Sequence, residues 1–120
     1  MLKGTADPSN PKVLRAGMGA SFRLPTVQAT DEELRIWAKS NGVTLWVASM
    51  DGAHLGTAKP PDNLAVIVGN EGAGVRLEVA EMASIRVAIP LARGVESLNV
   101  AVAFAIVAHA WCSRWRGADA

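Results

Sequence analysis

The chain has 120 residues, enough for a single hydrophobic core and for one domain at most. Half of the residues are hydrophobic and 19% are charged, which excludes a disordered chain. Formal net charge is +1, so attraction to a polyanion has to come from local patches or from a partner. The one cysteine, Cys112, excludes an intramolecular disulfide framework and suits a reducing, cytoplasmic setting. No secretory signal is read at the start, and the protein is expected to be soluble.

In chain order, a loose leader precedes Ser9 or Asn10, either of which can cap a helix over residues 11–19 that has Pro11 at its first position. Val13, Leu14 and Met18 are its packing residues. Residues 22–27 read as a short strand. Thr30 then caps a well-marked helix, with Asp31, Glu32 and Glu33 in the first turn and Lys39 near the end, where each charge suits the helix dipole. Leu34, Trp37 and Ala38 share one face, and Asn41-Gly42 stops the helix.

Residues 43–49 read as a buried strand that Asp51-Gly52 turns away, and residues 53–63, with Pro60-Pro61, read as a surface loop. A strand at 64–68, a short helix at 77–82, a strand at 85–89 and a last helix from Ser97 to about residue 116 complete the pattern. Strands and helices alternate with short connections, which predicts an α/β fold with a parallel sheet. The last helix is apolar nearly all round but falls short of the roughly 20 residues of a bilayer span. Trp111 and Trp115, four apart, mark one face of it for a subunit interface or for the end of the core. His109 in the same helix is read as packed or interfacial.

Two stretches carry the functional information. In the first, Leu64-Ala65-Val66-Ile67-Val68 runs into Gly69-Asn70-Glu71-Gly72-Ala73-Gly74, a buried strand ending in a tight loop. In the second, a strand leads into Ile89-Pro90-Leu91-Ala92-Arg93-Gly94-Val95-Glu96-Ser97-Leu98-Asn99 and then a helix, with Ser97 as a possible N-cap. Loops at the carboxyl ends of parallel strands are where an α/β sheet places its ligand. The glycine spacing is not that of a dinucleotide-binding turn, and the Lys-Ser/Thr of a phosphate loop is absent. His54, His109 and Cys112 have no metal-ligand spacing, so no metal is expected.

Together these stretches resemble the second and third motifs of the SpoU (TrmH-like) RNA 2′-O-ribose methyltransferases of the SPOUT superfamily. That pattern is Gly-Asn-Glu-Gly-x-Gly followed by Ile-Pro-Met-x-Gly-x-x-Glu-Ser-Leu-Asn-Val; here Leu91 stands in place of Met, and the glycine comes one position later, at Gly94, with Arg93 in its place. The segment Asp7-Pro8, Lys12, Arg15, Gly19-Ala20 and Phe22-Arg23-Leu24-Pro25 looks like the stretch that follows the family's first motif. The first motif itself, roughly Asn-x-Gly-x-x-x-Arg, would lie before it. The expectation is therefore one SpoU-type methyltransferase domain over residues 1–120, minimal or N-terminally truncated relative to the family.

The resemblance implies a C-terminal trefoil knot and a homodimer. It also implies methyl transfer from S-adenosylmethionine to a ribose 2′-hydroxyl of ribosomal or transfer RNA. It places the cofactor against Gly69, Asn70, Ile89, Leu91 and Leu98, largely through backbone groups. Glu71, Ser97 and Asn99 are the implied catalytic residues, and Lys12, Arg15 and Arg23 the implied RNA-binding ones. Two alternatives stay open at the level of sequence: a non-catalytic knotted domain that binds cofactor or RNA, and a fragment of a longer methyltransferase.

Overall fold

A computed structural model of the chain describes residues 1–70 and 72–118, with side chains described as far as residue 113. The chain divides into two compact units, residues 1–36 and 37–120. In the first, helix α1 (Pro11–Ala16) is capped by Asn10, whose side chain accepts the backbone N–H of Lys12 at 2.9 Å. With Pro11 at its first turn, the helix starts as the sequence dictates. It ends earlier than predicted, and Met18 lies beyond it, 91% exposed and with φ of 48°.

The strand expected at 22–27 does not form. Residues Ala20–Phe22 make a single 3₁₀ turn instead. Phe22, Leu24 and Val27 are all strongly exposed. An isolated strand has neither ladder partners nor a face to bury, and Pro25 removes one of the backbone donors it would need.

Helix α2 (Asp31–Ser40) opens on a reciprocal cap. The Thr30 hydroxyl accepts the Glu33 N–H at 3.2 Å while the Glu33 carboxylate accepts the Thr30 N–H at 2.7 Å. That backbone bond, with the Thr30 hydroxyl, holds the Glu33 carboxyl below the usual carboxylate range. Ala38 is buried, whereas Trp37 is half exposed.

The second unit is built on a three-stranded parallel sheet in the order β2-β1-β3, from β1 (Thr44–His54), β2 (Leu64–Ile67) and β3 (Ile85–Ala88). Side chains alternate across it. Leu45 and Val47 point to one face, Trp46 to the other, and all three are buried, so both faces of the central strand are covered. On the Trp46 face, Val87 and Val107 complete the core with Leu55 and Ala58. Val107 belongs to α4 (Val100–Ala118), while the short α3 (Leu77–Ala80) links β2 to β3 and buries Val79 and Ala80.

Two expectations about β1 and its exit need correction. The strand does not end at Asp51-Gly52. It continues to His54 after a break in register, so that Val87 faces both Ala48 and Ala53, and residues 49–52 arch out between them. A Cβ on Gly52 would stand 2.5 Å from the carbonyl carbon and oxygen of Arg86, so only glycine lets the arch return to β3. The stretch after β1 is also not wholly at the surface, because Leu55 and Ala58 are core residues.

The Trp111 indole N–H donates to the Pro61 carbonyl at 3.1 Å, tying α4 to the β1–β2 connection. Trp111 is thus held within its own chain, and the side chain of Trp115 lies outside the described residues. His109 is exposed, with Nε2 3.3 Å from the Ser113 hydroxyl. Removing a hydrogen bond whose acceptor is half buried costs about 1 kcal/mol. Trp111→Phe is therefore expected to lower the melting temperature by a few degrees, read by circular dichroism. An unchanged midpoint would show that the bond contributes nothing.

Candidate active site

Three chain reversals at the carboxyl end of the sheet enclose one cleft of about 450 Å³. The first follows β2. Asn70 and Gly74 exchange backbone hydrogen bonds, 3.2 Å and 2.9 Å, which closes the glycine loop on itself. Inside it, the Asn70 side-chain oxygen accepts the Gly72 N–H at 3.2 Å. Gly69 is fixed by close approach: a Cβ there would lie 2.2 Å from the carbonyl carbon of Gly74 and 2.5 Å from the Val75 nitrogen. The loop is tight enough to exclude every other residue at that position.

The second reversal joins β3 to α4. After Ile89-Pro90, a turn closes with the Val95 N–H on the Ala92 carbonyl at 3.0 Å. The chain then runs without regular secondary structure through Ser97 and Leu98 into the helix. The cap of α4 is Asn99 and not Ser97 as expected. The Asn99 Oδ1 accepts the N–H groups of Ala101 at 2.9 Å and Val102 at 3.4 Å. Both residue types cap well, and the helix begins two residues later because Ser97 and Leu98 are drawn into the wall of the cleft.

The third reversal, the arch at 49–52, was not legible as part of a site. Ser49, Met50 and Asp51 line the cleft, as does Arg86 of β3. The Ser49 hydroxyl donates to Asp51 Oδ1, and Arg86 Nη1 lies 3.3 Å from Asp51 Oδ2. The Ser49 hydroxyl first, and the Arg86 guanidinium after it, hold the Asp51 carboxyl below the usual carboxylate range. Arg86 could have been found only as a charge in the middle of an otherwise apolar strand.

Of the residues singled out from sequence, Gly69, Asn70, Ile89, Leu91, Leu98 and Ser97 all line this one cleft. Asn99 stands directly beyond it at the helix start, and Glu71 lies outside the described residues. Lys12, Arg15 and Arg23 are exposed residues of the first unit. The remaining walls are mainly apolar, from Val47, Val68, Val75, Val87 and Val100. A mainly apolar cleft of this size with a few convergent polar groups suits a small organic molecule. Among the described residues no group of three His, Cys, Asp or Glu could hold a metal ion.

A model of the SpoU rRNA Methylase family matches residues 1–109. The 23S rRNA (guanosine(2553)-2′-O)-methyltransferase RlmP of Bacillus subtilis is 38% identical over 107 residues, covering 88% of this chain and 43% of that protein. An AdoMet-bound rRNA methyltransferase from Sinorhizobium meliloti superposes with a TM-score of 0.87 and 29% identity, over 94% of this chain and 44% of its own. The SpoU methyltransferase AviRb from Streptomyces viridochromogenes, in complex with the cofactor AdoMet, gives 0.84 at 26% identity, over 94% and 46%. The chain thus spans under half the length of each.

Proposed function

The chain belongs to the SpoU rRNA methylase family, and from that membership we propose that its cleft binds S-adenosylmethionine for 2′-O-ribose methylation of ribosomal or transfer RNA. One observation carries the reading. Five residues chosen for the cofactor from sequence, on two separate loops, converge with Ser97 on a single cleft. Two related structures, both bound to AdoMet, share its fold over 94% of the chain.

The residues fit the group. Ile89, Leu91, Leu98 and Val68 offer an apolar slot for a flat base, and the polar Asn70 and Ser97 stand in the same wall. The cofactor supplies a methyl group on a sulfonium. The ribose 2′-hydroxyl is a poor nucleophile, so its proton has to be drawn off while its oxygen is held in line. We assign that holding role to Ser97 and Asn99, with Glu71, and contact with RNA phosphates to Lys12, Arg15 and Arg23. We read residues 1–120 as part of one SpoU-type domain, with α4 threaded as a trefoil knot and the protein in the cytoplasm. No helix among the described residues is long and apolar enough to cross a membrane.

A homodimer through α4 belongs to the same proposal. Val102, Phe104 and Ile106 are 38–48% exposed on that helix, a large apolar area to leave in water. Light scattering at micromolar concentration is expected to give twice the chain mass, and a clean soluble monomer would overturn it. The cofactor reading is tested by calorimetric titration with S-adenosylmethionine, where a silent titration refutes it.

A further inference from the structure

The cleft is mainly apolar, yet among its described lining residues two carry formal charge, Asp51 and Arg86, one of each sign. Arg86 stands at the middle of β3 between Ile85 and the fully buried Val87, where an apolar residue would complete the sheet. Asp51 reaches it from the arch at 49–52. The two are held in register by backbone, because Gly52 lies directly against the Arg86 carbonyl. Both line the cleft and keep solvent access, the Arg86 side chain at 41% and that of Asp51 at 69%.

We infer that Asp51 and Arg86 form a zwitterion-recognition subsite, taking the α-ammonium and α-carboxylate of the methyl donor's amino-acid end. The inference rests on the reading that the cleft holds S-adenosylmethionine. Arg86 engages Asp51 through Nη1 alone, and a guanidinium has five N–H donors, so a second carboxylate has donors to meet. The Asp51 carboxylate keeps acceptor capacity beyond the bonds from Ser49 and Arg86. Four alternating charges then close a ring in which each meets two of opposite sign. A neutral pair of opposite charges selects a zwitterion over a simple anion or cation. Exposed on its own, such an ion pair contributes little to stability, which leaves recognition as its use.

The test compares two ligands on the full chain by calorimetry: S-adenosylhomocysteine, which has the amino-acid end, and 5′-methylthioadenosine, which lacks it. Wild type is expected to bind the first about tenfold or more tightly than the second, the scale of a charge-assisted contact. Arg86→Met and Asp51→Asn should each narrow that gap while 5′-methylthioadenosine affinity stays within about twofold, which also shows that the variants fold. A gap that survives both substitutions, or an equal loss for both ligands, overturns the inference. Equal wild-type affinity for the two ligands removes the subsite but leaves the cofactor reading standing. Binding of neither removes both.

Discussion

Titrated with S-adenosylmethionine, the Gly69→Val chain is expected to lose at least about a hundredfold in affinity, roughly 2.8 kcal/mol. The cause is internal to the loop. Even the first carbon of the new side chain would stand 2.2 Å from the Gly74 carbonyl carbon, where ordinary contact begins at 3.4 Å. Asn70 and Gly74 are locked to each other by two backbone bonds, so the strand end and the loop cannot separate without losing both. Val75 and Gly74 then shift, and with them one wall of the cleft. Gly72 is the control. A Cβ there meets nothing within 4 Å, so Gly72→Ala should bind within about threefold of wild type, a fraction of a kcal/mol. Wild-type affinity in Gly69→Val, or equal loss in both variants, would sink the assignment of this loop.

The second large effect concerns Asn99, which now has two roles to separate. As a cap it contributes about 0.5–2 kcal/mol, so Asn99→Ala should lower the melting temperature by a few degrees. As a group that orients the ribose, it should cost about a hundredfold or more in methyl transfer. Asn99→Ser splits the two, since serine caps a helix about as well as asparagine. That variant should regain the melting temperature and stay slow. The assay is radiolabel transfer from S-adenosylmethionine to bulk ribosomal and transfer RNA. Recovery of both properties in Asn99→Ser would reduce Asn99 to a cap. Wild type that binds cofactor yet labels neither pool would favour a binding domain over an enzyme.

Local signals carried most of the architecture. β2 and β3 were readable because each is a short run, apolar but for Arg86, ended by glycine or proline. α2 was readable because Thr30 and Glu33 declare its start in sequence. The errors arose where distant contacts decide. Phe22 to Val27 has strand-like residues but no neighbour to pair with, and Asp51-Gly52 is a turn signal overridden because Gly52 fits against Arg86. Ser97 and Asn99 are interchangeable as caps by type, and the cleft wall chooses between them. The glycine loop and the Ser97-Leu98 wall were legible through their resemblance to two family motifs, since glycine spacing alone signals only a tight turn. Asp51 and Arg86 were not, because nothing in either segment announces that the other will lie beside it.

The order β2-β1-β3 also governs how this protein must fold. Both ladders among the described residues are parallel, and their first pairs join Thr44 to Leu64 and Trp46 to Ile85, 20 and 39 residues apart. No hairpin among them can form early as a local seed, so chain entropy has to be lost before any ladder bond repays it. β1 is the only strand that touches both others. Refolding of these 120 residues is expected to run in the slower range for a chain of this length, with β1 already ordered in the transition state. Mutations at Trp46 or Val47 should therefore slow folding, while those in α1 should chiefly speed unfolding.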